Sequence, residues 1–114
     1  KAEEVEDEEI PFQIVEEKPK FMGGDESNFT KWIYDRLSYP EIAKENGIQG
    51  RITLTFLVNT DGSVSDVKIL RGVDPSLDKE AIRVVSMSPK WTPGKQRNKP
   101  VKVRFQFPII FQLR

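Results

Sequence analysis

The sequence predicts an α+β domain, a small antiparallel sheet with helices packed on one of its faces. Two alternating apolar segments, at 50–59 and 64–71, are joined by a tight turn and predict a hairpin. A segment with helical spacing follows at 74–88, and a long alternating segment begins at Val101. The core therefore has the order β-β-α-β, and one or two further helices precede it.

The N-terminal part is predicted to be a linker. Residues 1–17 contain eight acidic side chains and one basic one, whereas residues 18–114 contain ten acidic and seventeen basic ones. A segment with so many charges and so few apolar side chains cannot bury enough surface to fold, so residues 1–9 are expected to be disordered. We interpret 1–18 as an acidic linker end and 19–114 as the domain. A short edge strand is predicted at 10–15, because Pro11 argues against a central one.

Two helices are predicted before the hairpin. Asp25 is the expected N-cap of the first, which should end before Tyr39 because the next residue is proline. Its apolar residues recur at helical spacing: Phe29, Trp32, Ile33 and Leu37. Pro40 then begins a second, short helix with Gly47 as its C-cap.

The hairpin and the helix after it supply the predicted core. The turn is at 60–63, where Gly62 provides the positive φ that a tight turn requires. Asp74 and Pro75 are a typical N-cap and first helical residue. The residues expected to be buried together are Ile52, Leu54, Phe56, Val67, Ile69, Leu77, Ala81 and Val84.

The last strand is longer than its neighbours. About 14 residues at 3.3 Å each span roughly 45 Å, so part of the strand outruns its partner. Pro108 cannot donate to a ladder and favours an edge position. Either this edge accepts a strand from another chain, or residues 12–15 cover it. The residues alone leave both alternatives open.

No catalytic, cofactor or metal site is expected. The chain has no His and no Cys, which removes thiol and imidazole catalysis and the usual zinc ligands. Asp61 and Gly62 lack the spacing of a calcium loop, and Ser86 and Ser88 have no base to activate them. We therefore predict that the protein is not an enzyme.

Five segments, in this order and spacing, resemble the C-terminal domain of TonB-type energy transducers. They are Tyr39 with Pro40, the strand and turn at 50–64, the helix start at 77–81, the Trp-Thr-Pro-Gly sequence at 91–94, and the alternating strand at 101–111. The resemblance implies a periplasmic domain of a protein anchored in the inner membrane of a Gram-negative bacterium. It also implies that a preceding N-terminal part contacts the ExbB–ExbD complex.

The resemblance implies, too, that the domain binds the TonB box of outer-membrane TonB-dependent transporters by strand addition. It would thereby pass on proton-motive-force-derived energy for nutrient uptake. The partner-binding residues carried over to this chain are Arg36, Leu37, Ser38, Tyr39, Pro40, Val101, Lys102, Val103, Arg104, Phe105, Gln106 and Phe107. Arg36 departs from the family, which has a Gln-type residue there.

Other partners were weighed against this one. A peptidoglycan- or envelope-protein-binding module of the same fold is the main alternative, and a strand-exchanged homodimer is a further expectation for the exposed edge. A basic stretch attracts acidic partners or nucleic acid, or is simply a solvated face. It consists of Lys90, Lys95, Arg97, Lys99, Lys102 and Arg104. No nucleic-acid partner is expected.

Overall fold

The computed structural model describes residues 9–113 of the chain, and the predicted disorder of residues 1–8 lies outside them. Three helices and five strands occur in the predicted α+β order. They are β1 (Glu9–Pro11), α1 (Glu26–Arg36), α2 (Glu41–Glu45), β2 (Gly50–Val58), β3 (Val64–Arg71), α3 (Pro75–Ser86), β4 (Gly94–Gln96) and β5 (Lys99–Phe111). The fold class and both N-terminal helices are confirmed.

Local capping explains where the helices begin and end. The carboxylates of Asp25 and Asp74 accept hydrogen bonds of 3.0 Å from the backbone N–H groups two residues later. Helix α1 ends at Arg36, before the Tyr-Pro pair, and Gly47 (φ +65°) follows α2 in the left-handed conformation that ends helices.

The sheet has the strand order β1-β5-β2-β3. Strand β2 lies in the middle, antiparallel to both β3 and β5, as the hairpin and the long last strand predict. Strand β1 is parallel to β5 and covers only its residues 102–104. The predicted antiparallel core is therefore extended by one short parallel strand at the edge.

Two turns fix the hairpins. Gly62 has φ +89°, and a Cβ there would lie 1.9 Å from the Trp91 carbonyl oxygen, so only glycine fits. The Pro93-Gly94 pair predicts a loop over residues 90–100, but this segment contains a second hairpin instead. Strands β4 and β5 are joined by Arg97 and Asn98, whose φ angles of +52° and +68° are typical of a type I′ turn.

The core lies between the sheet and the helices. Six of the predicted core residues are fully buried: Ile52, Leu54, Phe56, Leu77, Ala81 and Val84. Val67 and Ile69 are only partly buried, which corrects the prediction. The reason is that β3 is the outermost strand and has a neighbour on one side only.

The N-terminal segment packs onto the sheet. Phe12 and Val15 are buried, and the Phe12 ring stacks on Phe105 with centroids 4.3 Å apart. The chain turns directly after β1, so the strand lies at Glu9–Pro11 and not over all of 10–15. The boundary drawn at residue 18 thus separates segments that the structure packs together.

Candidate partner-binding edge

Strand β5 has two different sides. Strand β2 is in register with residues 103–111 and lies along one side of β5. On the opposite side, the Arg104 carbonyl accepts from the Phe12 N–H at 3.0 Å, and the Ile110 N–H donates to the Tyr34 hydroxyl at 2.9 Å. In an antiparallel strand each residue points its N–H and C=O to the same side, and the sides alternate. The outer edge of β5 therefore consists of Lys102, Arg104, Gln106, Pro108 and Ile110.

The first half of the outer edge is covered by β1. Glu9 lies opposite Lys102, and Pro11 lies opposite Arg104. The Arg104 guanidinium donates to both oxygens of the Glu9 carboxylate, at 3.2 and 3.1 Å. It also donates to the Asp66 carboxylate at 2.7 Å, and this hydrogen bond lowers the pKa of Asp66. Arg104 thus ties β1 to β3 across the sheet face that carries no helices.

The second half of the outer edge, residues 106–110, is open. Within residues 9–113 no strand pairs with it, and Gln106, Pro108 and Ile110 are exposed. Pro108 has no N–H, and that of Ile110 is already donated to Tyr34. Gln106 is therefore the only free backbone donor of this half among the described residues, next to several free carbonyl groups.

The structure separates the two predicted groups of partner-binding residues. The Tyr39 ring packs edge-on against Phe111 with centroids 5.3 Å apart, and its hydroxyl donates to the Ile48 carbonyl. This places Arg36, Leu37, Ser38, Tyr39 and Pro40 at the C-terminal end of β5. Val103 lies about 25 Å away along the strand. The open half of the edge begins at Gln106, within the second group, and extends toward the first.

The segment around Tyr39 is held by α3. The Ser38 N–H donates to the Glu80 carboxylate at 2.7 Å, and Arg83 donates to the same carboxylate at 2.7 Å. Burial raises the pKa of Glu80, but the hydrogen bonds from Arg83 and Ser38 outweigh it, so the pKa is lowered overall. The Arg36 guanidinium lies over the Trp32 ring, 4.4 Å from its centroid.

Several predicted edge residues are oriented inward. Val103, Phe105 and Phe107 bury their side chains and direct their backbone groups to β2, so they cannot offer either to a partner. Val101 pairs with Gly94 of β4. Of the seven residues proposed on β5, only Lys102, Arg104 and Gln106 lie on the outer edge.

The predicted partner-binding residues do not include Tyr34, Pro108 or Ile110, which lie at the open half of the edge, although an edge position is predicted for Pro108. The sequence does indicate the last two. Pro108 has to lie on the side of the strand that forms no ladder, and Ile110, two positions later, lies on the same side. Nothing in the sequence pairs Tyr34 with Ile110.

Comparison with known proteins identifies the family. The family model for the C-terminal region of Gram-negative bacterial TonB proteins matches residues 35–113. The chain belongs to this family. The resemblance seen in the sequence is thereby confirmed.

Individual TonB proteins are also similar to this chain in sequence. TonB from two strains of Helicobacter pylori is 27% and 26% identical to this chain over 83 residues, 72% of the chain. The chain spans only 28% of the length of these relatives. No helix in residues 9–113 has the length and apolar character that a membrane crossing requires.

Solved TonB domains share the fold. A solution structure of the TonB C-terminal domain of Helicobacter pylori has a TM-score of 0.62 and 25% identity, and the match covers 77% of this chain and 79% of that one. The corresponding Pseudomonas aeruginosa domain has a TM-score of 0.57 and 21% identity, with 90% and 92% covered. At that identity the second likeness concerns the fold alone.

Proposed function

We propose that this TonB domain binds the TonB box, an extended N-terminal segment of outer-membrane TonB-dependent transporters, by strand addition to the outer edge of β5. The observation that carries the proposal is the open half of this edge, where the Gln106 N–H and several carbonyl groups have no partner within residues 9–113 and lie beside two exposed apolar residues, Pro108 and Ile110. Backbone pairing recognises an extended peptide with little regard to its sequence, so one domain serves several transporters.

The rest of the protein supplies the energy. Full-length relatives are more than twice as long as this chain, since the 83 matched residues make up 28% of their length. We propose that the remainder anchors this protein in the inner membrane and contacts ExbB–ExbD, and that the domain works in the periplasm. The domain's own contribution is mechanical rather than catalytic, because a docked strand transmits tension through its hydrogen bonds, each worth about 1 kcal/mol net.

A second candidate is binding to peptidoglycan. The sheet face without helices has an open groove of about 520 Å³, lined by Arg51, Thr53, Leu70, Arg71 and Gln106. Within residues 9–113 neither arginine forms a salt bridge. Peptidoglycan stem peptides carry free carboxylates, which paired guanidinium groups bind well. Binding to purified peptidoglycan without binding to any transporter peptide would favour this role.

Amide hydrogen exchange tests the main proposal. The ¹⁵N-labelled protein is titrated with a synthetic TonB-box peptide from a transporter of the same organism, and with a control peptide carrying proline at alternate positions. We expect slower exchange at Gln106 with the first peptide and no change with the second. Protection confined to the surroundings of Tyr39, or to residues 90–99, would rule out strand addition at β5.

A further inference from the structure

The cover formed by β1 lies where a docked strand would continue. A strand that pairs with residues 106–110 and extends along β5 meets Pro11 opposite Arg104 and Glu9 opposite Lys102. The Arg104 carbonyl is already used by the Phe12 N–H. A partner strand and β1 therefore compete for the same backbone groups.

The open half alone offers a docked strand few hydrogen-bonding groups. A ladder needs donors and acceptors in alternation, and the open half has one free donor, at Gln106, among the described residues. Lys102 would add a donor and an acceptor, and Arg104 would add a donor, because the Arg104 carbonyl stays paired with the Phe12 N–H. A strand that pairs with the whole outer edge gains several further hydrogen bonds over one confined to residues 106–110.

The attachment of β1 is weak and easily reversed. It has three residues, and Glu9 and Pro11 are exposed. Its side-chain contacts are Ile10, which is partly buried against the core, and the Glu9–Arg104 ion pair. The side chains of this pair are 44% and 23% exposed, and such exposed pairs hold loosely. If Glu9 leaves, Arg104 keeps its 2.7 Å contact with Asp66, so no buried charge is left without a partner.

Directly after β1 the attachment becomes strong. Phe12 is buried and stacks on Phe105, and Val15 is buried as well. The turn between them is closed by hydrogen bonds from Ile14 and Val15 to the Pro11 carbonyl. Opening thus has a natural limit at Phe12, with Glu9–Pro11 as the movable part.

We propose that β1 is a displaceable cover: Glu9–Pro11 leaves β5 when a partner binds, and the partner strand takes its place opposite Lys102 and Arg104. The inference rests on the proposed function, because the same edge receives the partner. It assigns to the N-terminal segment a regulatory role, which is to shield the first half of the edge while no partner is present.

A disulfide lock tests the displacement. Glu9 and Lys102 are in register on neighbouring strands, and the chain has no cysteine, so Glu9→Cys with Lys102→Cys creates a single disulfide pair. The reduced form of the same variant is the matched control. We expect the oxidised form to bind the TonB-box peptide at least tenfold more weakly than the reduced form. Equal affinities would overturn the proposal.

A milder variant tests the cover without cross-linking. Glu9→Gln removes the charge that faces Arg104, while Glu45→Gln on α2 serves as the control. The Ile10 N–H faces β5, because the N–H groups of Ile10 and Phe12, two residues apart in an extended segment, point to the same side. For an exposed pair we expect exchange of the Ile10 amide to rise about two- to fivefold, and peptide affinity to rise by a similar factor. Exchange of the Ile10 amide only through global unfolding, in the parent and in Glu9→Gln alike, would contradict local opening.

The two proposals fail in different ways. If the parent, the reduced variant and a form lacking residues 1–11 all bind no TonB-box peptide, the proposed function is refuted and the displacement with it. If all of them bind, and the oxidised variant binds equally well, only the cover is refuted.

Discussion

Gln106→Pro tests strand addition at one backbone atom. The Gln106 N–H faces the outer edge of β5, and Pro108 and Ile110 provide no other free donor in the open half. Proline at 106 removes this donor. The strand already contains a proline two positions later, and Phe105 is extended, as a residue before proline must be. The domain should therefore fold with the substitution.

The expected magnitude follows from one lost hydrogen bond. A net contribution of about 0.5–1.5 kcal/mol disappears, and a carbonyl of the docked strand that is left without a donor brings the loss to about 1–3 kcal/mol. At 1.4 kcal/mol per factor of ten, Kd for the TonB-box peptide should rise roughly 5- to 150-fold. Gln106→Ala keeps the N–H, so its Kd should stay within about twofold of the parent.

Isothermal titration calorimetry measures both Kd values. Circular dichroism and chemical denaturation establish that each variant is folded, with a free energy of unfolding within about 1 kcal/mol of the parent, as for surface sites. If the folded Pro variant and the Ala variant bind equally well, the Gln106 N–H does not face the partner. The proposal that the partner binds at the outer side of β5 is then refuted.

Three further predictions concern the core, Tyr34 and pH. Phe56→Ala should lower the free energy of unfolding by about 3–5 kcal/mol in chemical denaturation, because Phe56 is fully buried; a change below about 1 kcal/mol would contradict its place in the core. Tyr34→Phe frees the Ile110 N–H, so exchange of the Ile110 amide should accelerate and peptide affinity should increase; weaker binding would show that the Tyr34 hydroxyl itself contacts the partner. Hydrogen bonds from serine hydroxyls lower the pKa of Asp25, Asp61 and Asp74, so their stabilising effect is complete above the unfolded value of about 3.9 and is lost as pH falls through the folded values. Since the chain has no His, the thermal midpoint should be nearly constant between pH 5.5 and 7 and decrease below about pH 4; a clear change within the upper range would contradict this account.

The parts of the fold that depend on local chemistry could be predicted. Asp25 and Asp74 cap helices because their carboxylates reach N–H groups two residues away, and Gly62 is required by one backbone angle. The burial of Val67 could not be predicted from its alternation. It depends on which strand is outermost in the sheet, and strand order is a property of long-range pairing.

The turn between β4 and β5 could not be predicted from the sequence. Type I′ turns are usually recognised in a sequence by Asn-Gly or Asp-Gly, whereas this turn has Arg97 and Asn98 with positive φ. An arginine in the left-handed region is unfavourable by itself and is stabilised here by its surroundings. The Arg97 N–H donates to the Glu16 carboxylate at 2.7 Å, a contact between residues distant in sequence.

The candidate site was half predictable for a related reason. The resemblance selects β5 as the docking strand but gives consecutive residues, whereas a strand offers only every second one to each side. Once Pro108 is assigned to the side without a ladder, parity places Arg104, Gln106 and Ile110 on that side as well. The parallel pairing of β1 could not be derived, because Glu9 and Lys102 are 93 positions apart and no turn connects them.

The division of β5 into two sides also explains how one strand holds the fold and remains available to a partner. Its inward residues are in register with β2 from Gly50 to Val58 and bury their side chains in the core. A partner on the outer edge gains fewer hydrogen bonds and buries no comparable side chains. Under tension the partner should therefore detach while β2 and β5 stay paired. The proposed function requires this order of strengths, because a transducer that is used repeatedly must release the transporter before its own domain unfolds.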